Sequence, residues 1–494
     1  MAVAATLLCA LLATPETFAQ TQRDRAFTDP AIPVVVGAYT KLTAHPGVFT
    51  TRGELEDLAK RINISGSYSA MRFNKLAAQV GRDLSGQKEW GVAYSGCNSD
   101  VYNYGFSYEF QTTHGVDHAT QIRTILGLKP DSMPPTGAAV VASRLALYAA
   151  LVKAGAVAPA GAPSPNQAAA IAKQILITWS TRGFQDGHGH FLSTPSQFCD
   201  ENGKTNDAVM TGVGLLVGRG IVYSVHTQDL LMFLGALNAS EVQQANAFHS
   251  AMFELIRAAL NYNFSEHHAW ACDHYSNHAA NQLAGLLALA HILDSQKRFE
   301  AVLYGRDPSI PVTLPWVGFF QRAIYGVADT PNACYANTGP AGNASKPFFE
   351  TATVAPGEID DRYRNADPSQ GIGYPMFTLE RLFDAAEILR NAGYDPYGYR
   401  GTHRQSIEMA TAYYACYARS AGFYKTVTKD NSSSCPDAAQ YYGKVVNGVD
   451  RFLTIGALRF PHNRAITSLA AEAKAASSSG PFSLDAILFG KWRD

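Results

Sequence analysis

Ten stretches of this chain can each form a helix, and almost none alternates in the manner of a β-strand. The helical candidates are 51–62, 70–84, 137–153, 164–181, 207–234, 240–262, 277–293, 375–392, 402–421 and 438–453. In several of them apolar residues recur at three- and four-residue steps. Leu215, Ile221, Val222 and Val225 mark one face, and Leu379, Leu382, Phe383 and Ile388 another. The segment 308–315 is the best short strand candidate. Long connections rich in Gly, Pro, Asn and aromatics lie at 94–118, 183–204, 329–373 and 391–401. Loops of that length in a compact domain usually carry function. The Pro/Ala segment 157–165, by contrast, reads as a plain turn. A helix with an apolar face must bury it against another helix. The pattern therefore suggests an all-α fold, a toroid or incomplete barrel of helical hairpins whose loops build a cleft at one end, with an irregular α-helical domain as the plainer reading.

Size and charge narrow the function. The chain has 494 residues, of which 47% are hydrophobic and only 16% charged, with a net charge of -1. Low charge argues against disorder and against a nucleic-acid partner. An anionic partner must be held by a local cluster rather than by a global field. Residues 2–13 are almost wholly apolar, and Thr17 and Ala19 place small residues at the −3 and −1 positions of a cleavage site. We read residues 1–19 as an export signal and 20–494 as a single domain. One departure from the usual signal is the lack of Lys or Arg ahead of the apolar run. That run is too short to span a bilayer, and no later segment reads as a span. The expectation is a secreted or periplasmic monomer without membrane contact. Six cysteines remain beyond Cys9, at 97, 199, 272, 334, 416 and 435. Their even number in an oxidising compartment predicts disulfides, and Cys416 and Cys435 are the closest pair in sequence. No Cys/His spacing suggests zinc, and neither a metal nor another cofactor is expected.

Three constellations could carry chemistry. Asn277 and His278 stand at the start of an apolar helix, directly after Cys272-Asp273-His274-Tyr275-Ser276. The first N–H groups of a helix are unpaired and attract anions, so an Asn-His pair there could hold a carboxylate. The plainer reading is that Asn277 caps the helix and His278 packs beside it. His188 and His190 stand two apart in the Gly-rich run 183–191, as cleft lining, a metal pair or an ordinary loop. Tyr94, Tyr102, Tyr104 and Tyr108 surround Cys97, as an aromatic sugar-binding wall or a disulfide-anchored loop.

In their order, three motifs resemble the alginate-lyase-like superfamily of polysaccharide lyases. They are Gly212-Val213-Gly214-Leu215-Leu216-Val217-Gly218-Arg219-Gly220, then Ser276-Asn277-His278, then Arg362-Tyr363-Arg364 followed by Gly371-Ile372-Gly373-Tyr374-Pro375. The motifs cover roughly residues 205 to 392. The family's usual aromatic soon after Asn-His is replaced by Ala279-Ala280-Asn281, and the step from the arginines to Tyr374 is long. The resemblance implies an all-α toroid of the (α/α)6 or (α/α)7 kind and a secreted lyase that cleaves an acidic polysaccharide, glucuronan or alginate, by β-elimination. It also implies the roles: Asn277, His278 and Arg364 or Arg362 neutralise the uronate carboxylate, and Tyr374 serves as base and then acid. Tyr102, Tyr104, His188, His190 and Arg219 would line the substrate cleft. Two alternatives stand beside it: an α/α-toroid glycoside hydrolase using carboxylates such as Asp186 and Asp361, and a non-catalytic glycan-binding protein.

Overall fold

The computed structural model describes residues 32–85, 89–108, 112–113, 116–130, 136–265, 275–329, 354–363, 373–420, 449–468, 470 and 488. Local signals start and stop many of the helices. Helix α1 (Arg52–Ile62) opens on a capping box, with Glu54 N–H donating to the Thr51 hydroxyl and Thr51 N–H donating to the Glu54 carboxylate. Helices α2 (Tyr68–Ser85) and α3 (His118–Ile125) follow. Helix α4 (Ala138–Lys153) starts after Gly137. Helix α5 (Pro165–Arg182) combines a Ser164 cap with Pro at its first position. Helix α6 (Asp207–Leu234) is capped by Asn206 and ended by Gly235 in the left-handed conformation. Helix α7 (Ala239–Ser265) leads back to α8 (Asn277–Ile292), which Ser276 caps. Beyond it come α9 (Gln296–Tyr304), α10 (Trp316–Ala323), α11 (Gly373–Asn391), α12 (Ile407–Ser420) and α13 (Val449–Arg459).

Helices α4, α6, α8 and α11 form an inner row in which each packs on the next. Helices α5, α7 and α9 lie beside them, α5 on α4 and α7, α7 on α6 and α8, and α9 on α8. Inner helices α4, α6 and α8 are largely apolar all round, as burial on every side requires, whereas α11 also buries Glu380, Arg381, Asp384 and Glu387. Every residue from Ala279 to Ile292 of α8 is buried. For the same reason α6 is long and apolar enough to cross a membrane by composition, contrary to the sequence reading, yet 56% of its most apolar window is buried inside the protein.

Contacts at both ends show that the inner helices run in one direction. At their finishing ends, Lys153 Nζ of α4 donates to the Phe233 and Leu234 carbonyls that close α6, at 2.9 and 3.0 Å. Segment 39–48 then ties three ends together. Gly47 N–H and Val48 N–H donate to Asp229 of α6, Leu42 N–H donates to Asp294 just past α8, and Thr40 N–H donates to the Ala392 carbonyl just past α11. At the starting ends, Asp361 joins α8 to α11, as described below. Where α6 meets α8, a Cβ on Gly218 would lie 3.0 Å from the Asn281 carbonyl, and one on Gly285 would lie 3.3 Å from the Gly218 Cα. Glycine inside a helix costs about 1 kcal/mol relative to alanine, and here it permits this close approach.

Segment 308–315 is not a strand. Val312 and Leu314 are buried as their alternation suggested, but the backbone is held by a side chain of α7 instead of a neighbouring strand. Asn261 donates to the Pro311 carbonyl at 2.9 Å and accepts from Thr313 N–H at 3.0 Å. The strands among the described residues are a two-residue hairpin, β1 (Thr112–Thr113) and β2 (Val116–Asp117). It lies within the connection 94–118, which also holds a π-helix, Val101–Ser107.

Candidate active site

The start of α8 is more fully capped than its sequence suggests. Ser276 Oγ accepts His278 N–H at 3.2 Å, and Asp361 Oδ2 accepts Asn277 N–H at 2.9 Å. These two N–H groups are therefore already partnered, and the grip expected of the Asn-His pair falls to their side chains. Asn277 is 2% exposed, and its side-chain oxygen is buried with no hydrogen-bond partner. Such a group costs about 1–3 kcal/mol, and a half-turn of the amide would put its NH₂ there instead. His278 is half-buried. One turn further on, Asn281 donates to the Asn277 carbonyl at 2.7 Å and steadies the turn.

Asp361 belongs to the short 3₁₀ helix Asp360–Tyr363 and is itself 1% exposed. The same Oδ2 accepts the Thr378 hydroxyl of α11 at 2.7 Å. One carboxylate oxygen thus joins the first turn of α8 to the first turns of α11. Tyr374 lies four residues before Thr378, hence on the same face of α11 and one turn nearer its start. It is half-buried. Arg362 lies in the same 3₁₀ helix as Asp361, but its side chain, and Arg364 altogether, lie outside the described residues.

The connections 94–118 and 183–204 are fastened to each other beside the starts of α4 and α6. A disulfide joins Cys97 to Cys199 across 102 residues. Cys199 N–H donates to the Cys97 carbonyl at 2.7 Å, and Gly96 N–H to the Gln185 carbonyl at 2.9 Å. Of the pair suggested by sequence proximity, Cys435 and the Cys416 side chain lie outside the described residues. The π-helix rests on α6, where a Cβ on Gly220 would come within 2.5 Å of Phe106 and Ser107.

The predicted sugar wall divides on inspection. Tyr102 is 1% exposed, donates to the Gly96 carbonyl at 2.7 Å and stacks on Phe184 at 4.1 Å. It supports the loop from beneath and offers no ring face to a sugar. Burial holds its hydroxyl well above the usual tyrosine range. Tyr104 is half-buried and stacked on His118 at 3.5 Å. Arg219 of α6 lies 4.6 Å above the Tyr108 ring and is half-buried. His188 and His190 are exposed, with rings 6.4 Å apart. Asp186 accepts both of their backbone N–H groups, at 2.8 and 2.9 Å, and these bonds, His190's foremost, lower its pKa. That carboxylate is occupied in shaping its own loop.

No protein-family model matches the chain, and no curated protein matches it by sequence. Among solved structures it is similar to an alginate lyase from Bacteroides ovatus, with a TM-score of 0.50 over 90% of this chain and 99% of that one. The two share a fold. Their sequences are 12% identical, so the comparison shows the fold alone.

Proposed function

We propose that this protein is a polysaccharide lyase that cleaves a uronic-acid polymer, glucuronan or alginate, by β-elimination. The observation that carries the reading is the meeting of two helix starts. Asn277 and His278 open α8, Tyr374 opens α11, and a single buried carboxylate ties the two together. The shared fold supports it. The chemistry follows from these residue types. A proton leaves C5 of the uronate, its electron pair forms the C4–C5 double bond, and the C4–oxygen bond breaks. Charge grows on the neighbouring carboxylate as the proton departs. Hydrogen-bond donors on Asn277 and His278 stabilise that charge, which is electrostatic catalysis. Arg364 or Arg362 adds a fixed positive charge. Tyr374 accepts the C5 proton and returns it to the departing oxygen.

The helical hairpins are proposed to close into a toroid, with the cleft at the starting end of the inner helices. Arg219, Tyr104, His188 and His190 remain candidates for its lining. The Cys97–Cys199 disulfide favours export to the cell exterior or periplasm, after removal of residues 1–19. The hydrolase alternative is weakened at Asp361, a sealed residue occupied in joining two helices. The deciding experiment is incubation with glucuronan, polymannuronate, polyguluronate and pectate, read by ultraviolet absorbance. An unsaturated, absorbing product from a polyuronate is expected. No absorbing product from any of them would reject the reading.

A further inference from the structure

Asp361 has no role in the elimination as written, yet it touches both halves of the proposed machinery. We infer that Asp361, with Thr378, is a positioning clasp that fixes the carboxylate-holding pair Asn277–His278 in register with Tyr374. The inference rests on the lyase reading above. Oδ2 alone accepts Asn277 N–H at 2.9 Å and the Thr378 hydroxyl at 2.7 Å. Asp361 is 1% exposed, Asn277 2% and Thr378 0%, so water does not compete for these bonds. Hydrogen bonds to a charged acceptor in such surroundings are short and directional.

The clasp is held from behind as well. Tyr325 donates its hydroxyl to Asp360, and Ile359 N–H donates to the Tyr414 hydroxyl of α12 at 3.0 Å. Ile324 also bridges to Ile359. Residues 359–361 are therefore fixed to α12 and to the residues after α10, and the carboxylate reaches the two helix starts from a rigid base. Helices α8 and α11 already pack along their length. What packing of apolar sides leaves loose is sliding of one helix along the other. A bond from the first N–H of α8 to a hydroxyl-bearing turn of α11, through one atom, opposes that sliding. The reaction needs the C5 proton within reach of Tyr374 while the carboxylate on C5 meets Asn277 and His278. Misplacement by about 1 Å can cost about 100-fold in rate.

Threonine 378 gives the cleaner test, because Thr378→Val keeps its shape and removes the hydroxyl, whereas Thr378→Ser keeps the hydroxyl. On a polyuronate that the wild type cleaves, Thr378→Val should lower kcat by about 10- to 100-fold, with KM within about twofold of wild type. Amide exchange at Asn277 should quicken in the same variant, with an unchanged melting temperature. Thr378→Ser should restore both kcat and the slow exchange. Asp361→Asn, which keeps an accepting oxygen, should lose less than Asp361→Ala. A folded Thr378→Val enzyme with wild-type kcat would overturn the clasp and leave the lyase reading standing. A rise in KM alone would do the same. A wild type that yields no unsaturated product would overturn the lyase reading, and the clasp with it.

Discussion

The two ends of the inner helices use the same device for different purposes. At the finishing end, Asp229 is fully buried and accepts Gly47 N–H, Val48 N–H and the His45 ring at 2.6 to 2.9 Å. Close by in the chain of contacts, Glu387 takes Arg459 through both oxygens, at 2.6 and 2.7 Å, and also Arg390 and the Tyr397 hydroxyl. Burial and the neighbouring Glu387 hold that hydroxyl well above the usual tyrosine range. These bonds tie the segment before α1, and the helices α11 and α13, to the core. At the starting end, Asp361 likewise gathers a backbone N–H and a hydroxyl, and the two helix starts it joins carry the residues of the proposed chemistry, Asn277, His278 and Tyr374. The Asn277 side-chain oxygen is buried without a partner, and His278 and Tyr374 are half-buried. Both ends bury an unmet polar atom, Asn277 Oδ1 at the start and Gln228 Oε1 and Asn391 Oδ1 at the finish. What separates the ends is that the proposed chemistry uses Asn277, His278 and Tyr374, whereas Asp229 and Glu387 are taken up in joining segments of the fold.

Substitutions at the two ends should accordingly affect different measurements. Tyr374→Phe is expected to lower kcat by about 10²–10⁴-fold with an unchanged melting temperature, because only the proton carrier is lost. Near-wild-type turnover in the folded variant would remove Tyr374 from the mechanism. Asp229→Ala should do the reverse. It strands two buried N–H groups and His45, so unfolding by denaturant should show a loss of about 3–5 kcal/mol, with turnover of the folded fraction nearly intact. A selective loss of turnover there would break the division between the ends. Asn277→Ala and His278→Ala should each reduce kcat more than they raise KM, since charge on the carboxylate peaks in the transition state. Effects confined to KM would make the pair a peripheral binding feature.

Between the two ends lies a third kind of polar residue, and it gives a pH signature. His249 of α7 is fully buried against Ser224, at 3.0 Å, and burial lowers its pKa from 6.5 to about 3. Above pH 6.5 the ring is neutral in both the folded and unfolded states. Below it the unfolded chain takes up a proton that the folded one refuses until about pH 3. Stability should fall with acid across that window, by up to about 1.4 kcal/mol per pH unit. His249→Asn should flatten the slope, and an identical slope in both proteins would refute the assignment. The smallest expected effect is that of a chelator, which should leave turnover unchanged, because side chains do the neutralising. Loss of activity that a divalent ion restores would redirect attention to His188 and His190.

Much of this was legible in the sequence because it is local. Thr51 with Glu54, Ser164 with Pro165, and Asn206 before an apolar run mark helix starts within a few residues, and the structure places them so. Asn277 and Tyr374 stand at helix starts as the sequence suggested. What escaped depends on distance. Asp361 reaches Asn277 across 84 residues, and nothing near Asp360-Asp361 announces it. Tyr102 looked like its neighbour Tyr104, and only the folding of 183–204 over 94–108 buries one and not the other. The alternation at 312 and 314 was real burial, but a strand also needs a partner strand, and Asn261 took that place. A signal was present for the α6–α8 approach. Glycines at 214 and 218 are spaced four apart on one helical face; Gly218 meets the backbone of Asn281 and Gln282, and Gly214 makes room for the Gln282 side chain.

The central claim is that bond cleavage at the starting end is an elimination. Its most direct test counts two products in one reaction of the wild-type enzyme with a polyuronate: new reducing ends and ultraviolet-absorbing unsaturated uronates. Elimination predicts one absorbing group for each new reducing end, from the first turnover onward. New reducing ends without absorbance would mean hydrolysis and would contradict the account.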